Sequence, residues 1–245
     1  LMAPAWTDDS GFPLAAWVEE LRMNAPTRHR ALRKAGREGT ALDTMVVDLS
    51  GGPDAVRSRM EPRARHSVAA AARRGTLVRR LGTGGLGRFH ALYRETAARR
   101  GFEAHPEEAF ASLFEEARRH DLALELYLAE SGGVDAAAAV FARHGGEAWY
   151  LFAASSLELR EANGPSAILD RALADASEAG AARMDLLGVA PEGARSHPLA
   201  GLSRFKASFG GARMRRAGAW DWVLDHDAYW RWSQFEASPA APSAP

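Results

Sequence analysis

Leu122-Ala123-Leu124-Glu125-Leu126-Tyr127-Leu128-Ala129-Glu130, Ala136-Ala137-Ala138-Ala139-Val140-Phe141-Ala142-Arg143 and Ala148-Trp149-Tyr150-Leu151-Phe152-Ala153-Ala154 are three strand-like segments, separated by glycine pairs at 132–133 and 145–146. Paired glycines supply the positive φ angles of tight hairpin turns, so the three read as an antiparallel meander. Downstream lie a loop, Leu159-Arg160-Glu161-Ala162-Asn163-Gly164-Pro165, a long helix from Ser166 to about Ala179, and a strand, Arg183-Met184-Asp185-Leu186-Leu187-Gly188.

Upstream, Thr44-Met45-Val46-Val47-Asp48-Leu49 reads as a strand stopped by Gly51-Gly52-Pro53. Two short helices follow, one from about Asp54 to Met60, the other opening at Pro62, where proline is tolerated, and ending at Gly75. Thr76 to Leu81 is a short strand, and Gly82-Thr83-Gly84-Gly85-Leu86-Gly87 reads as a flexible connector. A helix through Phe89, Leu92, Tyr93 and Thr96 and another from about Pro106, with Phe110, Leu113 and Phe114 at helical spacing, complete this half.

A meander feeding a loop, a helix and a parallel strand is the element order of a GNAT-type acyltransferase. The expected class is therefore α+β, a mixed central sheet flanked by helices, with the strand after the meander splaying from its neighbour to leave a gap for the substrate carbonyl. Residues 1–43 carry helical runs through Trp17, Leu21 and Leu32 but too few apolar positions for a core of their own. At the other end come a strand near Ala219 to Leu224, a helix bearing Tyr229, Trp230 and Trp232, and a Ser/Ala/Pro tail over 237–245 expected to be disordered.

The chemistry points to Leu202-Ser203-Arg204-Phe205-Lys206-Ala207-Ser208-Phe209-Gly210-Gly211. The chain uses arginine as its default cation, and Lys206 is one of only two lysines. An ammonium is a compact charge that can be partly desolvated, lose a proton, or sit against a carbonyl oxygen as it turns negative. The alternative is a solvated lysine on a helix flank. Phe205, Phe209 and the Gly-Gly stop, placed as a C-cap would be, favour the chemical reading.

Composition removes other chemistries. There is no cysteine, so disulfides, thiolate metal sites and a cysteine nucleophile fall together. The eight histidines show no metal spacing and no GxSxG occurs, so no metal or other cofactor is expected. Net charge is zero over 245 residues, no apolar run reaches membrane-spanning length, and no signal peptide opens the chain, which reads as soluble and cytoplasmic. One local imbalance stands out: between Arg57 and Arg100 the charges are almost all arginine, either a solvated pair of helices or a phosphate-facing surface. A CoA enzyme needs a glycine loop whose amides hold pyrophosphate. In the loop opened by Arg160 the RxxGxG spacing is broken and Pro165 removes a donor, which argues against CoA. Arg79-Arg80-Leu81-Gly82-Thr83-Gly84 has the right letters but precedes the meander. Asp185 either acts or caps at a strand end, and Tyr150 alternates into core or ligand contact.

Together, Val46-Val47-Asp48-Leu49 with Arg63 to Gly75, Phe89 to Phe102, Trp149 to Ser155, Met184 to Gly188 and Arg204 to Gly211 resemble the Fem family of peptidoglycan bridge enzymes, over about residues 44 to 235. The resemblance implies transfer of glycine, alanine or serine from aminoacyl-tRNA to the stem-peptide amine of lipid II or UDP-MurNAc-peptide, with membrane-surface proximity through a lipid-linked acceptor. It also implies two GNAT-like domains, of which 44–236 looks like the second, complete, and 1–43 like the end of the first. By the same resemblance Phe205 packs near the terminal adenosine and Lys206 stabilises the oxyanion. Arg99, beside Thr96, meets precursor phosphates, and Arg63, Arg65, Arg73 and Arg74 meet the tRNA. Tyr150, Asp185 and Arg204 complete the candidate substrate contacts. The rivals are an acyl-CoA N-acyltransferase on the same fold and a non-catalytic remnant binding RNA or a partner.

Overall fold

The computed structural model describes residues 32–35 and 41–236. The tail at 237–245 and the helical runs through Trp17 and Leu21 lie outside the described residues.

The meander forms as its glycines dictate: β4 (Ala123–Ser131), β5 (Val134–His144) and β6 (Glu147–Ser155) are joined by Gly132-Gly133 and Gly145-Gly146, all four at positive φ. Around them are β2 (Asp43–Asp48), α1 (Gly52–Arg59), α2 (Pro62–Arg73), β3 (Leu77–Leu81), α3 (Leu86–Arg100), α4 (Glu107–Arg119), α5 (Gly164–Glu178), β7 (Arg183–Gly188), α6 (Ala200–Ala207) and β8 (Ala212–Arg215). The seven-stranded sheet runs β3-β4-β5-β6-β7-β2-β8, antiparallel through β6 and parallel from β6 to β7. This is the α+β, GNAT-like arrangement expected from the element order.

The chain divides into two compact units that interleave in sequence. One comprises Met45–Leu187 with Gly201–Ala212, the other Leu1–Thr44, Gly188–Ala200 and Arg213–Pro245. In the first unit, α3 and α4 cover one face of the meander, burying Phe89, Leu92, Tyr93, Phe110 and Phe114 on Leu126, Leu128, Ala138 and Val140. On the other face α5 buries Ile168, Leu169, Ala172 and Leu173, and its N-terminus comes close: a Cβ at Gly164 would lie 2.9 Å from that of Ala137. The alanine run of β5 is what makes this approach sterically open. Tyr127 ties the layers together by donating its hydroxyl to Asp175 of α5 at 2.8 Å. In the second unit, β1 (Leu32–Lys34) pairs antiparallel with β9 (Trp220–Trp222), and α7 (His226–Glu236) is tied to β9 by Tyr229 Oη donating to Asp221 at 2.9 Å.

Four expectations change. The helical run through Leu32 is a strand at its end, because β9 offers a partner far along the chain that local propensity does not see. The glycine stretch after β3 is not a flexible connector but a single 3₁₀ turn, Thr83–Gly85, continuous with α3; a Cβ on Gly85 would meet Leu81 and Leu126 at under 3 Å. The loop before α5 is shorter than expected, since the helix starts at Gly164 and Pro165 falls in its first turn, where a missing N–H is harmless. Strand β8, which the sequence reading left unassigned, directly follows the Gly-Gly stop.

Candidate active site

Lys206 lies in the last turn of α6, and the glycines after it decide where it goes. Gly210 has φ +83°, and a Cβ there would lie 2.9 Å from the backbone oxygen of Arg59; a Cβ on Gly211 would lie 2.4 Å from Met45 Cγ. Only glycine lets the chain pass so close to the end of α1 and to β2. The Glu61 N–H donates to Ser208 O at 2.8 Å and fastens the segment there. Phe209 is fully buried, and Phe205 packs against it edge-on at 5.2 Å. Between these anchors Lys206 is held at 5% exposure. Burial brings its ammonium down from the usual lysine range to about 8, opposed by the charge of Asp185.

Asp185 sits where the sheet opens. β6 and β7 pair over only three positions, Glu147 with Arg183, Ala148 with Met184 and Trp149 with Asp185, although β6 continues to Ser155. Asp185 is 2% exposed, and its Oδ1 accepts the Leu187 N–H at 2.8 Å. Leu187 is left-handed at φ +61°, one of three non-glycine residues in that region among those described. Such strain persists only where its surroundings enforce it, and it gathers at functional sites. A β-bulge in β6 near Leu151, opposite Val140 and Phe141, bends the same strand just beyond the last pair.

The other candidates lie on separate elements. Thr96 and Arg99, in the last turns of α3, grip the end of β6: Thr96 Oγ1 accepts the Ser155 N–H at 3.0 Å, and Arg99 donates to Ser155 O at 3.0 Å. Glu95 accepts the Leu157 N–H at 2.8 Å and pairs with Arg99 at 3.2 Å. A cavity of about 450 Å³ opens beside Arg99, bounded by Arg100, Ser155, Ser156 and Arg160. A second, of about 400 Å³, lies between α2 and the 3₁₀ turn Arg160–Ala162, lined by His66, Arg73, Arg74, Arg160 and Asn163. Arg160 borders both, a role the sequence reading missed because it weighed this loop only as a CoA motif.

Tyr150 is buried and stacks on Phe141, centroids 4.8 Å apart, which places its ring in the core. Arg204 is exposed on α6. All four candidate RNA-facing arginines are exposed on α2 and the residue after it, but they are not equivalent. Arg63 pairs with Glu61 at 2.9 Å and Arg74 with Glu161 at 2.8 Å, Arg65 donates to Met60 O, and Arg73 has no ion pair among the described residues.

The loop before α5 is occupied with itself. The amides of Ala162, Asn163, Ser166 and Ala167 donate to carbonyls of Leu159, Arg160 and Asn163 at 3.0–3.3 Å, and Pro165 has none. The arginines of the earlier RxxGxG letters are committed as well, Arg79 to Glu130 at 2.8 Å and Arg80 to Glu125 at 3.0 Å. Among the described residues no helix is long and apolar enough to cross a membrane, and no cluster of histidine and carboxylate side chains has metal-binding geometry.

A meander, a helix and a parting parallel strand make up the fold shared by GNAT-like acyltransferases. A family model matches residues 23–130 and again 116–235, and the chain belongs to the FemAB family, which makes it a transferase. Among solved structures it is similar to a crystal structure of FemX, at 19% identity and a TM-score of 0.75 over 86% of this chain and 70% of that one. It is also similar to the C-terminal domain of a putative lysylphosphatidylglycerol synthetase from Agrobacterium fabrum (16% identity, TM-score 0.56, 85% of this chain and 66% of that one). L-PGS from Bacillus licheniformis is a third (11%, 0.53, 89% and 69%). At these identities the likeness is one of fold. No curated protein matches the chain.

Proposed function

We propose that the chain moves an amino acid (glycine, alanine or serine) from aminoacyl-tRNA to the stem-peptide amine of a peptidoglycan precursor, lipid II or UDP-MurNAc-peptide, in the cytoplasm. The observation that carries this reading is a buried ammonium, Lys206, held by Phe205, Phe209 and two obligatory glycines in a FemAB-family chain whose β6 and β7 part at Asp185. An aminoacyl ester is already activated, so its transfer asks for positioning, a neutral amine and charge stabilisation.

The acceptor amine attacks the ester carbonyl, the C–N bond forms, and the carbonyl oxygen becomes negative. Lys206, at a pKa of about 8, is roughly nine-tenths cationic at pH 7 and meets that charge from a site where water does not screen it. The intermediate then expels the ribose oxygen, which takes up a proton as the amine loses one. Phe205 packs near the terminal adenosine. Arg99 serves precursor phosphates from the cavity beside Ser155, and exposed arginines of α2 serve the RNA. Tyr150 acts from within the core and Arg204 from the surface of α6. Residues 1–43 are read as the end of a first GNAT-like domain and 44–236 as the second.

The internally bonded loop before α5 counts against the acyl-CoA alternative on the same fold. Incubating the protein with aminoacyl-tRNA and UDP-MurNAc-peptide, and separately with acetyl-CoA and the same acceptor, tests the choice. Transfer from the RNA ester alone is expected. Acetyl transfer with tight CoA binding overturns the proposal, and binding of RNA with no transfer of any kind points instead to a non-catalytic remnant.

A further inference from the structure

The cavity between α2 and the turn Arg160–Ala162 is a hollow whose walls are joined at one end. One face of α2 with its C-terminal cap lines it through His66, Ser67, Ala70, Arg73 and Arg74, the spacing of successive turns of a helix, and the small side chain of Ala70 leaves room at the centre. Arg160 and Asn163 lie on the opposite wall. At the C-terminal end of α2, Arg74 donates to the Glu161 carboxylate at 2.8 Å and to the Glu161 backbone oxygen, and Thr76 Oγ1 donates to Ala162 O at 2.8 Å. Asn163 Nδ2 donates to Glu161 O at 2.9 Å and steadies the same turn. Glu161 is the one acid of the lining and is engaged by Arg74, whereas the side chains of Arg73 and Arg160 have no hydrogen bond or ion pair among the described residues. The hollow therefore presents two uncommitted guanidiniums, one from each wall.

We propose that this hollow binds the 5′-terminal phosphate of the donor RNA, with Arg73 and Arg160 as the ligands and Arg74 as the brace between the walls. An internal phosphodiester carries a single charge, and its strand has to leave as well as enter. A terminal phosphate monoester carries about −1.5 to −2 at pH 7, which matches two guanidiniums, and it suits a cleft barred at one end. The position of the hollow suits an acceptor end as well. The N-terminal end of α2 is fastened to the lysine segment by the Glu61 N–H donating to Ser208 O at 2.8 Å. From there the 12 residues of α2 cover about 18 Å. In a tRNA the 3′ end projects past the 5′ phosphate by about four nucleotides, roughly 14 Å when stacked at ~3.4 Å each. A 5′ phosphate held near the far end of α2 thus leaves the aminoacylated 3′ end within reach of Lys206. The inference rests on the reading of aminoacyl-tRNA as the donor and adds which part of that RNA is gripped.

The test uses two RNA hairpins with the same single-stranded 3′ overhang that differ only in a 5′ phosphate or a 5′ hydroxyl, their binding followed by the fluorescence anisotropy of a loop label at fixed salt. The wild-type protein is expected to bind the phosphorylated hairpin about tenfold tighter, the scale of one charge-assisted contact. In Arg73→Gln and in Arg160→Gln that preference collapses and the two hairpins bind nearly alike. Arg63→Gln, outside the hollow, weakens both hairpins equally and keeps the preference. Ala70→Glu, which puts a carboxylate on the floor of the hollow in a helix that accepts glutamate, removes the preference by a separate route. With aminoacylated hairpins the two arginine substitutions raise KM for the phosphorylated form and leave kcat in place, a split that a loss of folding would not produce. Wild-type affinities that do not depend on the 5′ end overturn the proposal, and so does a preference that survives both Arg73→Gln and Arg160→Gln. Competition by a free nucleoside 5′-monophosphate as strong as that by the phosphorylated hairpin overturns it too, since the hollow would then serve a small nucleotide. If neither hairpin binds, the reading of aminoacyl-tRNA as donor fails; if both bind alike, only the present inference does.

Discussion

The protein handles positive charge in two opposite ways. Across the surface of the sheet and helices, arginine is matched to carboxylate: Arg57 to Asp170 in a bidentate pair at 2.9 Å, Arg80 to Glu125 at 3.0 Å, Arg171 to Asp175 at 2.7 Å. The Arg80 and Arg171 guanidiniums are more than half-exposed, and such pairs contribute little to stability individually. Lys206 is the contrary case, an ammonium taken out of water in the last turn of α6. Burying a charge costs stability, so the contrast identifies the place where the fold accepts that cost. The basic surface can be explained by solubility and local pairing; the buried lysine calls for a function.

The sharpest way to break the contrast is to remove the buried cation. Lys206→Met, which keeps the bulk, is expected to lower kcat by about 10² to 10³, the range for loss of one preorganised oxyanion donor, with the circular dichroism spectrum unchanged. Arg63→Ala, removing an exposed and paired guanidinium, should change the same rate no more than a few-fold. Equal losses in both would erase the distinction.

The packing that buries the lysine should be nearly as sensitive. At Gly210 a methyl group meets a backbone oxygen of Arg59, not a flexible side chain, at an unfavourable φ, so Gly210→Ala is expected to cost about 1–3 kcal/mol, read as a lowered denaturation midpoint. Gly211→Ala presses on a side chain, that of Met45, and not on backbone, at an ordinary φ, and should cost less. The reverse order would mean that the segment is not wedged against α1.

Titration sharpens the comparison further. Lys206 has a folded pKa of about 8 against 10.5 when unperturbed, so between those values the unfolded chain binds more protons than the folded one. Stability therefore rises with pH across that window, by at most on the order of 3 kcal/mol, and the cost of the buried cation is fully present below it. In Lys206→Met this rise should vanish from urea denaturation curves measured at pH 7.5, 9 and 10.5. Transfer should behave oppositely in the wild type, falling as pH passes 8 and the cation is lost. A rate that climbs through that range would make Lys206 a base and not an electrostatic stabiliser.

What could be read in the sequence follows the range of the forces involved. The meander was legible because paired glycines and alternating side chains act over a few residues, and Lys206 stood out because the composition made it rare. Its burial was only hinted at by Phe205, Phe209 and the glycine pair, whose meaning depends on Arg59 and Met45, remote in sequence. Strand β1 was hidden because its partner β9 lies far along the chain. The bend at Leu187 left no local mark, since leucine is an unexpected residue at positive φ. The glycines before α3 looked loose because glycine signals freedom equally well when it is required for close packing, as at Gly85.

The smallest expected effect lies on the arginine side of the comparison. Arg73 and Arg160 line the cavity between α2 and the loop before α5, and neither has an ion pair among the described residues, whereas Arg74 in the same wall is held by Glu161. If this face tracks an RNA backbone, the uncommitted arginines should carry the phosphate interactions, because Arg74 would first have to give up its carboxylate. Arg73→Gln and Arg160→Gln are each expected to weaken binding of a short single-stranded RNA by a few-fold and to flatten the slope of log K against log salt by about 0.7 for each phosphate no longer neutralised. Arg74→Gln should leave the slope nearly unchanged while lowering stability slightly. Flattening by Arg74→Gln with no effect of the other two would show that paired and unpaired arginines are not the division that matters on this surface, and that Glu161 yields its partner on binding.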